Sequence, residues 1–227
     1  MKKAMIAVAA VLALTAAHAD TDSKWYGIAG LGKASVQSDL SDMSASSGTL
    51  TATQTIDTKG NVFFGGVGYQ FDDLLAFEAQ YIDIRGFNVN QSVTANNAVV
   101  NGTTINGTFS ANQDIKATAL AFSAKYDLKL DNTSKIYARV GFTQVKVKND
   151  VGVSGSGTIG GRSANVVANL SFDETKTVPL LGIGYEYDLN KQTALRAEYT
   201  HINTVGAKNT TGESAVNMIT LQTKFKF

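Results

Sequence analysis

The chain has 227 residues and a formal net charge of +1, with 20 basic and 19 acidic side chains, so it carries no electrostatic footprint for nucleic acid. It has no cysteine and only one proline, which excludes a disulfide framework and leaves the fold to a large core or to a hydrogen-bonded network that closes on itself. Its 21 glycines, beside abundant Ser, Thr, Asn and Val, are the composition of a β-protein.

The first stretch, "MKKAMIAVAAVLALTAAHAD", has the parts of an export signal. Lys2 and Lys3 form a positive start, Ala4 to Thr15 an apolar middle, and Ala17-His18-Ala19 a small-residue cleavage site. This predicts a cleaved signal over 1–19 and a single domain over 20–227. The apolar part is too short for a bilayer helix, which needs about 20 residues.

Eight segments of alternating apolar and polar residues follow, near 24–36, 59–71, 75–87, 114–127, 134–148, 176–188, 192–204 and 214–227. In "TALRAEYTHI", Leu195, Ala197, Tyr199 and His201 share one face, and Arg196, Glu198 and Thr200 the other. The apolar faces carry aromatics near the segment ends, among them Trp25, Tyr69, Phe77, Tyr126 and Tyr185, as interfacial girdles do. Connections alternate between long (37–58, 88–113, 149–175, 205–213) and short (Asp72 to Leu74, Leu128 to Thr133, Leu189 to Lys191). This pattern predicts an all-β fold: an eight-stranded antiparallel transmembrane β-barrel with short periplasmic turns and long extracellular loops. Alternation persists in "FNVNQSV", "TINGTFS" and "NVVANLSF", and no charge occurs from Phe87 to Gln113, so the strands are expected to run on as protruding hairpins with exposed edges. In the last segment Ile219, Leu221, Phe225 and Phe227 lie on one parity and Thr220, Gln222, Lys224 and Lys226 on the other. Phe225 and the terminal Phe227 resemble the signal read by the bacterial outer-membrane assembly machinery.

The stretches "WYGIAGLG", "LAFEAQYIDIRG", "AKYDLKLDNTSKIYARVGF" and "VPLLGIGYEYDLNKQTALRAEYTHINTVG" resemble the transmembrane barrel of outer membrane protein A and its eight-stranded relatives, including opacity-type proteins. The resemblance implies the outer membrane of a Gram-negative bacterium. It also implies, as partners, membrane lipid and lipopolysaccharide, the barrel assembly machinery and, through the outer loops, host or surface ligands. The sequence ends at Phe227, whereas outer membrane protein A continues into a peptidoglycan-binding domain, so that tether is not carried over.

Eight strands enclose a lumen just wide enough for side chains. The inward parity places Glu78, Lys125, Arg139, Glu186, Arg196, Glu198 and Lys224, with Gln80 and Gln222, near the periplasmic ends of their strands. Four cations thus face three anions, as a plug or as a gate. By resemblance, Glu78, Lys125 and Glu198 match the family's lumenal ion-pair cluster. Lumenal glycines at 66, 68, 141, 182 and 184 leave unfilled volume or serve twist and close packing.

Other motifs carry less. "GSGTIG" (155–160) has nucleotide-loop spacing but no strand-to-helix unit around it and is read as part of a long loop. Triplets such as Asn101-Gly102-Thr103 have no glycosylation meaning in a bacterial envelope. His201 with Glu213 evokes the outer-membrane lipid A deacylases, but Asn203 stands where a nucleophilic serine is required. No catalytic, cofactor-binding or metal-ligating residue is therefore assigned. The expected function is structural and adhesin-like, through the outer loops. A small gated channel for ions or solutes is the alternative, and a lipid A hydrolase a distant third.

Overall fold

The alternation becomes ten strands in the computed structural model, which describes residues 24–37, 42–207 and 213–227. The signal expected over 1–19 lies outside the described residues. In chain order the strands are β1 (Trp25–Gln37), β2 (Met43–Ser47), β3 (Leu50–Asp57), β4 (Lys59–Gln70), β5 (Leu75–Val100), β6 (Thr103–Lys129), β7 (Ser134–Ile159), β8 (Arg162–Asp188), β9 (Thr193–Val205) and β10 (Ser214–Lys226). Eight of them, β1-β4-β5-β6-β7-β8-β9-β10, pair antiparallel in a ring that returns to β1. The closing seam joins the first and last strands, from Tyr26↔Lys226 to Gln37↔Ala215. Phe227 N–H donates across it to Trp25 C=O at 3.3 Å. A closed ring satisfies its own backbone donors and acceptors, the condition for a sheet to sit in lipid.

The three short turns share one chemistry. In each, an Asx side chain three residues before the returning strand accepts two backbone N–H groups. Asp72 Oδ1 takes Leu74 and Leu75, Asp131 Oδ1 takes Thr133 and Ser134, and Asn190 Oδ1 takes Gln192 and Thr193. At the other end β5–β6 and β7–β8 turn on Asn101-Gly102 (φ 50° and 77°) and Gly160-Gly161 (φ 57° and 79°). Positive φ at both central residues is the hairpin geometry that matches strand twist. "GSGTIG" therefore lies in strand, not loop: 155–159 belong to β7 and only Gly160 reaches the turn.

As the persistent alternation predicts, β5 to β8 run 26 or 27 residues, about twice the length of the other four ring strands. The 37–58 connection differs from expectation. Its β2–β3 hairpin pairs along β5, from Leu50↔Ala95 to Asp57↔Asn88, and widens the protruding part. The ring thus continues outward as an open sheet ordered β2-β3-β5-β6-β7-β8. A bulge between Ile84 and Phe87, with Gly86 at φ 104°, shifts β5 parity so that Phe87 stays buried.

The outer wall is apolar and uncovered: Leu31, Phe63, Val140, Ile183 and Ile219 are all more than half exposed. In water this would be an aggregation surface; in a bilayer it is the solvated one. Trp25 packs edge-on against Tyr69 at 5.0 Å beside the short-turn end, where the aromatic girdle was expected.

Candidate functional site: a plugged lumen and a protruding sheet

All seven charged residues assigned to the lumen by parity are buried there. Strand pairing explains how they meet. Glu186 of β8 lies directly opposite Arg196 of β9, and Lys125 of β6 opposite Arg139 of β7. Two carboxylates act as hubs. Glu186 receives Arg196 Nε at 2.6 Å, Lys125 Nζ at 3.3 Å, Lys224 Nζ at 3.1 Å and Lys135 Nζ at 3.0 Å. Glu78 receives Arg196 Nη1 at 2.9 Å and Arg139 Nη1 at 3.5 Å, while Arg139 Nη2 pairs with Glu198.

Four participants escaped the sequence reading, the first being the half-buried Lys135 on Glu186. Asp127, buried and bound to Lys125, supplies the fourth anion and balances the four buried cations. It shares Lys125's parity, a signal available in the sequence but placed at the expected end of the strand. Tyr26 and Tyr137 complete the layer. Their hydroxyls donate to Glu78 Oε1 and Glu198 Oε2, both at 2.8 Å, and their rings flank the Arg196 guanidinium at 5.5 and 5.2 Å. Space for these rings comes from glycines. A Cβ on Gly68 would overlap the Tyr26 ring, and one on Gly184 the Tyr137 ring. Those two glycines hold no unfilled volume; they are occupied by their cross-strand neighbours.

Above the charged layer the inward face turns apolar. Val62, Phe64, Ile82, Val145, Leu180 and Met218 are buried in one cluster, filling the outer half of the lumen. Where the two layers meet, Arg139, Gln80, Thr200 and Gln222 line a cavity of about 10 Å³, room for about one water. Gln222 Oε1 and Arg139 Nε are buried there without a protein partner. Ions crossing this barrel would have to displace both a neutralised charge network and a packed apolar plug.

The groups weighed as a hydrolase set have other partners. His201 Nδ1 sits 2.7 Å from Asn217 Oδ1, which also accepts from the Tyr199 hydroxyl at 2.8 Å. Glu213 pairs with Lys176 at 3.1 Å.

Beyond the barrel the open sheet has two unlike faces. The face continuous with the lumen carries Val89, Val93, Phe109, Val151, Val153 and, on β8, Val166, Leu170 and Phe172. The opposite face carries Asn90, Ser92, Thr94, Thr108, Ser110, Asn112, Ser154, Ser156, Asn165 and Asn169, with the exposed Val167 as an apolar exception. Side-chain hydrogen bonds run across it, as between Thr94 and Thr108 at 3.1 Å. Ion pairs Lys146–Asp173 and Lys148–Asp150, at 2.6 and 2.8 Å, lie on the outward face between this polar surface and the apolar belt.

The family model described as outer membrane protein beta-barrel domain matches residues 4–227. Among solved structures, Neisserial surface protein A is 17% identical over 90% of this chain and 98% of its own, with a TM-score of 0.54. Yersinia pestis Ail, solved with the heparin analogue sucrose octasulfate, is 14% identical over 89% of this chain and 97% of its own, at 0.46. Pseudomonas aeruginosa OprG is 16% identical over 90% and 98%, at 0.44. No curated protein matches the chain.

Proposed function

Because the chain belongs to the outer membrane protein beta-barrel domain family of the Gram-negative outer membrane, we propose that its barrel is a closed anchor and that its function is surface interaction, of adhesin type, through the protruding sheet. The observation that carries this reading is the division of the long strands. Their membrane halves enclose a lumen filled by neutralised charge and apolar packing, while their outer halves, 13 or so residues each, project as ordered sheet. A channel needs a wetted path, whereas the described residues fill this lumen with paired charges and apolar side chains, which supports the anchor reading; a recognition protein needs an exposed surface, and the outer sheet supplies one.

Two measurements test it. The refolded protein in planar bilayers is expected to be electrically silent, and Glu78→Ala or Lys125→Ala to leave it so because the apolar layer remains. Discrete openings in the wild type would instead make the ionic cluster a gate and support the channel alternative. Cells displaying the chain are expected to adhere to polystyrene and to cultured epithelial monolayers, and to lose that adhesion when 88–113 is deleted while the barrel still folds. Adhesion unchanged by the deletion would remove the protruding sheet from the function.

A further inference from the structure

The outer sheet leaves one long edge unprotected. β8 pairs with β9 only from Leu180↔Ile202 toward the short-turn end, so from Arg162 to Pro179 its other side meets no strand among the described residues. Exposed edges are usually guarded by charge, proline or a bulge. Between Ser163 and Phe172, in "SANVVANLSF", β8 has none of these, and its register with β7 is unbroken. The flanking charges Arg162 and Glu174 have no ion-pair partner among the described residues. Leu170 and Phe172, on the lumen-side parity, are exposed.

We propose that this edge pairs with the same edge of a second copy, antiparallel and two-fold symmetric about Ala168. In that register Ala168 faces the partner's Ala168, Val166 faces the partner's Leu170, Ala164 faces the partner's Phe172, and Arg162 faces the partner's Glu174. Apolar side chains meet apolar ones on the lumen-side face, and the two unpaired charges neutralise each other at both ends. Neighbouring registers fail. A shift of one residue sets the lumen-side face of one copy against the outward face of the other, so that Val166 meets Asn169 and Leu170 meets Asn165, because strand faces alternate with period two. A shift of two in one direction sets Arg162 against Lys176, and in the other leaves Arg162 against Phe172.

The antiparallel geometry also fixes where the partner sits. β8 runs from the tip of the sheet toward the membrane, so its two-fold mate runs the opposite way and the partner's barrel is turned end over end. The pair therefore bridges two facing outer membranes. Ten residues separate Ala168 from Val178 at the base of the free edge on each side, which sets the membranes about 50–70 Å apart at ~3.4 Å per residue and the usual strand tilt. This inference rests on the surface-interaction reading and specifies its partner as another copy of the chain on a second cell.

The test uses the full chain refolded in two batches of phosphatidylcholine vesicles carrying different dyes, with clustering read as turbidity and two-colour coincidence. Wild-type vesicles are expected to cluster. Arg162→Glu alone or Glu174→Arg alone places like charges at both ends of the register and is expected to weaken clustering about tenfold. Mixing Arg162→Glu vesicles with Glu174→Arg vesicles restores opposite charges at both ends and is expected to restore clustering, a recovery that misfolded protein cannot produce. Ala168→Asp, which sets two carboxylates face to face at the axis, is expected to abolish it. Heat-modifiable gel mobility confirms folding of each variant. The proposal is overturned if folded wild-type vesicles stay apart, if either charge variant clusters like wild type, or if the mixture clusters no better than its components. Should vesicles stay apart while cells still adhere through 88–113, strand pairing between copies fails and the broader surface-interaction reading stands.

Discussion

Replacing Glu186 by glutamine tests the lumenal network at its most connected point. The change keeps shape and removes one charge from a carboxylate that four cations share. Their fates differ. Arg196 keeps Glu78, Lys125 keeps Asp127, and Lys135, 14% exposed at its side chain, reaches water, whereas Lys224, 1% exposed at its side chain, retains only the face of Tyr26 at 4.2 Å. Leaving one buried cation unpaired costs about 3–5 kcal/mol, so the folded-to-unfolded ratio should fall by roughly 10²–10⁴. The assay is urea unfolding of the refolded barrel in vesicles, followed by heat-modifiable gel mobility. Adding Lys224→Met removes the stranded charge, and the double variant should recover most of the loss, a coupling measurable as a double-mutant cycle. A loss under about 1 kcal/mol for Glu186→Gln would refute the hub assignment, since surface-like ion pairs behave that way. A double variant no more stable than the single one would refute the identification of Lys224 as the stranded group.

Three further outcomes follow from the same geometry. Gly184→Ala sets a Cβ into the Tyr137 ring and should cost about 1–3 kcal/mol, the range of overpacking, with the unfolding midpoint as readout. In the short turn after β6, hydrogen bonds from the Thr133 and Ser134 backbone and side chains hold the Asp131 carboxyl below its ordinary pKa. A depressed carboxyl stabilises the fold above its unfolded pKa and loses that contribution as pH falls through its folded pKa, so acid should weaken this turn; Asp131→Asn should abolish that acid sensitivity while keeping the turn, as Asn190 does natively, and midpoints at pH 7 and pH 3 decide it. Removing Phe227, which closes the seam on Trp25, should lower the yield of folded protein in the outer membrane of expressing cells, measured by surface proteolysis.

The period-two alternation determined the eight ring strands, because a sheet exposed to lipid outside and packed inside must alternate side by side along every strand. It also identified the seven charged residues of the lumen, since parity alone assigns the face. Parity does not show what a neighbouring strand brings to the same level. Whether Tyr26 fills the space over Gly68, and Tyr137 that over Gly184, depends on register between strands far apart in the chain. The same holds for the lumen's outer half. Val62, Ile82, Val145 and Met218 look like ordinary alternating positions in the sequence, and only closure of the ring stacks them into a plug. The β2–β3 hairpin was illegible for a related reason: "MSASS" has weak alternation, and its strand conformation comes from pairing with β3, which itself leans on β5. Sequence thus determined which way side chains point wherever the extended backbone runs without a bulge such as that before Phe87; tertiary structure decided which side chains meet, because that depends on shear and on where each strand stops pairing.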